Sequence, residues 1–185
     1  EPLKIFVGWD SREDIAYQVC KHSLESRSKD VEVKPLIQSK LREAGWYTRP
    51  VDKLASTEFT FTRFLIPELT NFSGWALFCD SDIIFLDDVK ELFDQADDKY
   101  AKLNMDLVNE PEINGAYLHR FSWLTDEEIG DLSYEWNFLV GHYKDGSPKA
   151  LHYTEGGPWF ENYRNCEFHT EWKQELQDMM NDSNK

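Results

Sequence analysis

The chain is organised around residues 74–86, which read Gly-Trp-Ala-Leu-Phe-Cys-Asp-Ser-Asp-Ile-Ile-Phe-Leu. The apolar run from Trp75 to Cys79 is typical of a strand that is buried on both faces of a sheet. It ends abruptly at Asp80 and Asp82. Alternate side chains of extended backbone point the same way, so the two carboxylates should project together. Ligands of open α/β sheets collect at such strand ends, so this stretch predicts a binding site for a hard divalent cation.

The Asp-x-Asp pair is a weak signal when it is taken alone. With 17 Asp among 185 residues, chance supplies about one or two such pairs. The alternative interpretation is a pair of solvated turn carboxylates after a core strand. Its position at the end of a strand is what favours a site.

The amino-acid composition excludes some classes of protein. The formal net charge is −15, which argues against a nucleic-acid surface because phosphate backbones are bound by clustered Lys and Arg. An anionic ligand would therefore need a bound metal. No apolar run approaches the length of a membrane span, and the chain has room for one domain over residues 1–185.

The cysteines indicate a reducing compartment. Cys20, Cys79 and Cys166 are widely scattered, which suggests neither a disulfide framework nor a zinc cluster. We therefore expect a cytoplasmic protein. Aromatic residues make up 15% of the chain, which fits a sugar-stacking surface and a heavy core equally well.

Periodicity along the chain predicts alternating strands and helices. The expected strands are residues 3–7, 31–36, 75–79 and 150–154, and the expected helices are residues 13–24, 39–44, 56–66, 89–95, 125–132 and 170–180. This order predicts an α/β fold, with a mainly parallel mixed sheet that is flanked by helices. Residues 99–101 begin a further strand that has no room to cross the sheet, since three residues span about 10 Å. We therefore expect a segment to be absent near residues 101–102.

One histidine belongs with the two aspartates. His152 ends the late strand and precedes the sequence Tyr-Thr-Glu-Gly-Gly-Pro-Trp. Two carboxylates and one imidazole suit manganese or magnesium better than zinc. Asp80, Asp82 and His152 are therefore the predicted metal ligands, although a hydrogen-bonded core histidine is the plain alternative for His152 alone.

These motifs together resemble one enzyme family. Gly8-Trp9-Asp10, the 57–67 stretch Thr-Glu-Phe-Thr-Phe-Thr-Arg-Phe-Leu-Ile-Pro, the Asp-Ser-Asp strand end and the late His-Tyr-Thr-Glu-Gly-Gly-Pro-Trp are similar to the glycogenin-like, retaining glycosyltransferases of family 8. The resemblance implies a Rossmann-like domain of the GT-A type. It also implies a manganese or magnesium ion and a nucleotide-sugar donor, expected to be UDP-linked, whose sugar passes to a sugar or protein acceptor.

The resemblance also implies site residues. Asp80, Asp82 and His152 match the metal ligands, Arg63 matches an arginine at the donor, and Asp10 lies in the loop that meets the nucleotide base. From its place in the late buried segment, and not from the resemblance, Glu135 is the candidate for catalysis beside Asp80, Asp82 and Arg63. Glu135 and Asn137 are candidates for sugar or acceptor contacts, with a purely structural role as the equal alternative. The predicted donor-binding set is Gly8, Trp9, Asp10, Tyr17, Arg63, Ser81, Gly156, Gly157 and Trp159.

The sequence departs from the family at one position. Members read Lys-Pro-Trp where this chain has Gly157-Pro158-Trp159, so the donor diphosphate lacks that lysine. Arg63, Lys149 or the backbone amides of Gly156 and Gly157 would have to replace it.

Two other functions compete with glycosyl transfer. A phosphotransfer enzyme with an aspartate nucleophile needs a threonine where Ile84 stands. A non-catalytic module that binds nucleotide-sugars or carbohydrates is favoured by the absent lysine. Metal-dependent turnover of a nucleotide-sugar would distinguish such a module from an enzyme.

Overall fold

The computed structural model describes residues 1–97 and 105–185. The strands are β1 (Leu3–Gly8), β2 (Val31–Leu36), β3 (Ala76–Cys79), β4 (Ile83–Phe85), β5 (Phe138–Leu139) and β6 (Ala150–His152). The helices are α1 (Asp14–Arg27), α2 (Gln38–Glu43), α3 (Ile66–Leu69), α4 (Lys90–Phe93), α5 (Met105–Asn109), α6 (Gly115–His119) and α7 (His169–Asp182). Short 3-10 turns cover Thr62–Leu65, Asp126–Glu128, Tyr134–Asn137 and Glu161–Tyr163.

The strands form two small sheets. In the first, β1 is central and pairs in parallel with β2 and with β3. In the second, β6 is central, with β4 antiparallel on one side and β5 parallel on the other. The predicted α/β class with mixed, mainly parallel pairing is confirmed, and its strands are divided between the two sheets.

Helix α1 joins the sheets. Its buried side chains, which include Ala16, Val19, Cys20, Ser23 and Leu24, recur at helical spacing and form one face. The hydroxyl of Ser23 accepts a hydrogen bond of 2.9 Å from the backbone N–H of Phe85. Since Phe85 lies in β4, this bond fixes the strand that follows the two aspartates against the helix.

Helix α7 closes the other side of the second sheet. Its Trp172 packs with Ile84, Leu151 and Tyr153 in one apolar cluster. The predicted C-terminal helix is thus confirmed, and its apolar face covers the strands that carry the candidate metal ligands.

The predicted helix over residues 56–66 is wrong. The structure has turns there, then the 3-10 turn at Thr62–Leu65, and α3 carries Pro67 in its first turn. Proline has no backbone N–H, and only helical positions beyond the first turn need one for a hydrogen bond. Pro67 therefore fits in the first turn of α3 and does not end the helix that we expected. The predicted helix over residues 125–132 is likewise reduced to Asp126–Glu128, where Thr125 and Glu128 form a capping box.

Strand β3 is less enclosed than its sequence suggests. Of its four residues only Cys79 is fully buried, so the prediction of burial on both faces is wrong. Among the described residues β3 has one strand neighbour, β1, which leaves its other edge open. The segment that we expected to be absent near residues 101–102 falls outside the described residues. No helix in the described part of the chain is long and apolar enough to cross a membrane.

Candidate metal centre

Three side chains meet where the two sheets approach each other. Asp80 follows β3 directly, Asp82 precedes β4, and His152 ends β6. The antiparallel register of β4 and β6 places Ile83 opposite His152. The backbone N–H of Tyr153 donates to the carbonyl of Asp82 at 2.9 Å. The pairing of these strands therefore brings together residues that are 70 positions apart in sequence.

The ligand atoms of the three residues are close together. One atom from each of Asp80, Asp82 and His152 can be chosen so that all lie within 4.8 Å of one another. Nε2 of His152 is 3.1 Å from Oδ1 of Asp82 and 3.8 Å from Oδ2 of Asp80. The side chains of Asp80, Asp82 and His152 are 26%, 23% and 14% exposed, which leaves room for a ligand to reach them.

The negative charge of Asp80 and Asp82 is only partly compensated by Arg63 and His152. Burial raises the pKa of Asp80, against the opposing effect of Arg63, and Asp82 adds to the rise. Burial lowers the pKa of His152, but the carboxylates of Asp82 and Asp80 outweigh it and the pKa lies above its ordinary value. Two carboxylates that are held this close repel each other, so a cation between them is favoured.

The residues fit a hard divalent cation. Oδ1 of Asp80 and Oδ1 of Asp82 are buried and accept no hydrogen bond, although Arg63 and His152 lie near them. A buried carboxylate oxygen without a hydrogen bond costs free energy, so these atoms are free to coordinate an ion. Two carboxylate oxygens and one imidazole nitrogen match the preferences of manganese and magnesium.

A cavity of about 420 Å³ opens beside Asp80 and His152, which both line it. Arg63 lines it, with Nη2 lying 3.3 Å from Oδ1 of Asp80. The guanidinium carbon lies 4.7 Å from the ring centre of Phe78 and 5.5 Å from that of Phe59. Within the described residues, Arg63 is the only Lys or Arg in the lining of this cavity.

Asp10 holds a loop and is not open to the cavity. Its side chain is fully buried, and both carboxylate oxygens accept hydrogen bonds from Arg12. Oδ2 also accepts one from the backbone N–H of Glu58 at 3.1 Å. The hydrogen bonds from Arg12, which outweigh burial, lower the pKa of Asp10. Asp10, which was predicted to contact the nucleotide base, is therefore hydrogen-bonded to the loop around Ser56–Glu58.

The neighbouring residues of the first strand and helix serve packing. A Cβ on Gly8 would lie 2.4 Å from the ring of Phe59, so only glycine fits there. Trp9 donates its indole N–H to Asp14 at 2.8 Å. Tyr17 is 6% exposed within the main core, where burial raises its pKa to about 12. Ser81 is buried between the two aspartates.

The Gly-Gly-Pro-Trp turn packs against itself. A Cβ on Gly157 would lie 1.9 Å from the ring of Trp159, and Gly156 has φ +139°, which favours glycine. The ring of Trp159 lies 5.2 Å, centre to centre, from that of Trp172. Its indole N–H donates to Oε1 of Glu13 at 3.0 Å. Trp159 is therefore anchored in the core cluster of α7, and the close fit explains both glycines without a ligand.

Two further candidates face away from the three ligands. Oε1 of Glu135 accepts a hydrogen bond of 3.0 Å from the backbone N–H of Ser147, and Glu135 does not line the cavity. Lys149 makes an ion pair with Glu91, with Asp87 3.6 Å away. Lys149 is thus engaged elsewhere, and Arg63 is the candidate that the structure places at the cavity.

Sequence reasoning missed Glu13. Its carboxylate is half-buried beside Trp159, and burial raises its pKa, with the charge of Asp82 adding to the rise. Its place immediately after the loop of Gly8–Asp10 was the signal in the sequence. Asn137 was expected to contact sugar, and the structure places its Oδ1 2.8 Å from Nδ1 of His152.

The fold is that of known glycosyltransferases. The glycosyltransferase GlyE of Streptococcus pneumoniae TIGR4 superimposes with a TM-score of 0.63 over 98% of this chain, at 14% sequence identity. The bifunctional glycosyltransferase WbbM superimposes with a TM-score of 0.55 over 94% of the chain, at 13% identity. This chain spans 63% of the length of the GlyE chain and 51% of that of WbbM.

Sequence comparison shows the family. The chain is 43% identical to Protein CDI of Arabidopsis thaliana over 233 aligned residues, which cover 100% of this chain and 90% of that protein. The chain belongs to the family of Protein CDI. No family model matches it.

Proposed function

We propose that this protein is a metal-dependent glycosyltransferase that moves a sugar from a nucleotide-sugar, most simply a UDP-linked one, to a sugar or protein acceptor. The observation that carries the proposal is the grouping of one ligand atom each from Asp80, Asp82 and His152 within 4.8 Å, with Oδ1 of each aspartate buried and without a hydrogen bond, next to a cavity that Asp80 and His152 line. The glycosyltransferase fold supports it. The resemblance to family 8 favours retention of configuration at the transferred sugar.

The residues of the site have two proposed roles: some hold the metal ion, and one binds the donor. Asp80, Asp82 and His152 would hold Mn²⁺ or Mg²⁺, which supplies Lewis-acid stabilisation of the departing diphosphate. Arg63 lines the same cavity and would donate hydrogen bonds to a phosphate oxygen. Its stacking on Phe78 keeps the guanidinium in place before a donor arrives.

The test is binding and turnover with defined donors. We expect UDP-linked hexoses to raise the melting temperature in the presence of Mn²⁺ and to do so much less with EDTA, because only the folded state binds them. GDP-linked forms of the same hexoses are the matched control. Release of UDP, with the anomer of the product read by NMR, would establish transfer and its stereochemistry. Absence of any donor binding with Mn²⁺ would contradict the proposal.

A binding module without catalysis is the second candidate. The single arginine in the described lining, together with Gly157 in place of the family's lysine, favours it. The same experiment separates the two, because a module would bind the donor with Mn²⁺ and release no UDP.

We further propose that the protein carries an additional segment near residues 101–102. The alignment with the Arabidopsis relative runs over 233 residues, more than the 185 of this chain. The open edge of β3 is a place where a further strand could pair. Sequencing the messenger RNA between the codons for Asp97 and Met105 tests this. A transcript that is dozens of codons longer would support the segment, and one that matches the printed sequence would contradict it.

The cysteines support a cytoplasmic location as part of the proposal. All three are free, and the sulfur atoms of Cys20 and Cys79 lie 3.9 Å apart in the core, within hydrogen-bond distance and without a disulfide bond. Such a pair persists as thiols in a reducing compartment. Fluorescence of a tagged full-length protein in secretory organelles would contradict this location.

A further inference from the structure

We infer that Asn137 is a positioning residue, which orients the ring of His152 so that Nε2 faces Asp80 and Asp82. The inference rests on the proposed metal site and goes beyond it, because it gives this residue a role other than contact with sugar. Oδ1 of Asn137 lies 2.8 Å from Nδ1 of His152, on the side of the ring opposite the two carboxylates. Nδ1 is therefore engaged by Asn137, while Nε2 faces the carboxylates.

The backbone brings the two side chains together. Asn137 is the last residue of a 3-10 turn and immediately precedes β5. In the parallel register of β5 and β6, Leu139 lies opposite His152. Asn137 stands two residues before Leu139, at the end of the turn, and from there its Oδ1 reaches Nδ1 of His152 at 2.8 Å. The pairing of two strands thus sets this contact.

The chemistry explains why an acceptor is needed at this position. An amide oxygen beside Nδ1 requires that nitrogen to carry the proton, which leaves the lone pair of Nε2 for an ion. If the imidazole ring of His152 were rotated by 180°, it would lose the hydrogen bond to Asn137 and would place a carbon atom, instead of Nε2, near the aspartates. An amide also adds no charge to a site that already holds two carboxylates.

Contact with the donor is the competing role, since Asn137 is exposed and lines the cavity. The two roles differ in what removal of the side chain changes. A positioning residue affects binding of the ion itself. A sugar contact affects only binding of the nucleotide-sugar.

The first measurement uses the metal-free chain. Long-range ¹H–¹⁵N spectra of histidine-labelled protein should show a low-field proton on Nδ1 of His152 in the wild type and in Asn137→Asp, because both keep an acceptor oxygen. Loss of the signal in Asn137→Ala is expected, since the proton then exchanges with water. The spectrum of His152→Gln assigns it. Persistence of the signal in Asn137→Ala would overturn the inference, whatever the protein binds.

The second measurement is titration with Mn²⁺ alone, followed by calorimetry. We expect Asn137→Ala to weaken Mn²⁺ binding about 10- to 100-fold and Asn137→Asp to restore it. Tyr134→Phe is the matched control, because Tyr134 lines the same cavity but donates its hydroxyl to the carbonyl of Asp145 at 3.2 Å. Unchanged Mn²⁺ affinity in Asn137→Ala would overturn the positioning role. A wild type that binds no Mn²⁺ would instead overturn the metal site, and the NMR result would still decide how the ring is oriented.

Discussion

The described part of the chain holds two clusters of acidic residues with a histidine, and they differ in how their hydrogen bonds are satisfied. In the open cluster (Asp80, Asp82 and His152), two carboxylate oxygens accept no hydrogen bond. In the paired cluster (His22, Arg27, Glu175 and Asp182), which joins α1 to α7, Glu175 is buried with one oxygen 2.7 Å from His22 and the other 2.8 Å from Arg27.

Hydrogen bonding of the carboxylate oxygens distinguishes a candidate metal site from a structural ion pair. Both clusters contain the residue types of a metal centre, so composition alone does not distinguish them. In the paired cluster, the carboxylate oxygens of Glu175 contact His22 and Arg27 and so connect α7 to α1. The open cluster keeps buried oxygens without hydrogen bonds beside a cavity, which costs stability unless a ligand compensates. The comparison predicts that variants of each cluster will fail in different ways.

The largest expected effect is on metal binding by the open cluster. Asp82→Ala should weaken Mn²⁺ binding by at least about 100-fold, because it removes a ligand and not only a supporting residue. Titration calorimetry measures this. The melting temperature without metal should change little, since the residue lies at a strand end and its buried Oδ1 accepts no hydrogen bond. Unfolding of the variant would show that the open cluster is structural after all.

The paired cluster should show the reverse behaviour. Glu175→Gln removes the charge that Arg27 and His22 share and should lower the free energy of unfolding by about 2 kcal/mol, less than for a fully buried pair because the side chain of Arg27 is 30% exposed. Urea denaturation measures the loss. Mn²⁺ affinity should stay at the wild-type value, and a loss there would break the distinction between the clusters.

Arg63 tests whether the cavity beside the open cluster receives a phosphate. Arg63→Lys should weaken nucleotide-sugar binding about tenfold, since lysine keeps the charge but loses the planar fork and its stacking. Its effect on unfolding should be smaller than its effect on binding.

Arg49→Lys is the matched control for this variant. Its guanidinium carbon lies 4.0 Å from the ring centre of Phe61, and it donates to the carbonyl of Ile113 at 2.7 Å, away from the cavity. This variant should lower stability without changing donor affinity. Equal losses of stability and donor binding in Arg63→Lys would mark Arg63 as a structural arginine.

The smallest expected effect is the pH dependence of the paired cluster. Burial lowers the pKa of His22, but the hydrogen bonds to Asp182 and Glu175 outweigh it and raise the pKa above its ordinary value. Arg27 pairs with the same Glu175, and Lys185 pairs with the same Asp182. The protonated form is therefore favoured by folding. Its contribution is fully present below the unfolded pKa of about 6.5 and is lost as pH rises through the folded pKa.

The measurement is the difference in the free energy of unfolding, from urea denaturation, between the wild type and His22→Gln from about pH 6 to pH 9. The advantage of the wild type should shrink by less than about 1 kcal/mol as pH rises. An advantage that grows with pH would show that His22 is held neutral, and the description of the cluster as charge-paired would then be wrong.

Features that depend on neighbouring residues were predictable from the amino-acid sequence. Strand and helix periodicity gave the α/β class, β1, α1, β2 and α7, and the abrupt end of an apolar run marked Asp80 and Asp82. These features are local, because side-chain alternation and helical spacing repeat over a few residues. Local patterns misjudged the region of Thr62–Leu69, where Pro67 was assumed to end a helix and instead lies in the first turn of α3.

Contacts between side chains that are distant in sequence depend on how the whole chain folds. The indole of Trp159 pairs with Glu13, Asn137 with His152, and Glu135 with Ser147 rather than with the cavity. Strand register and helix packing set these pairs, and no short-range pattern encodes them, because a shift of one residue sends a side chain to the opposite face of its strand. The same register makes the open cluster, since β4 and β6 must pair before His152 can reach the carboxylates of Asp80 and Asp82.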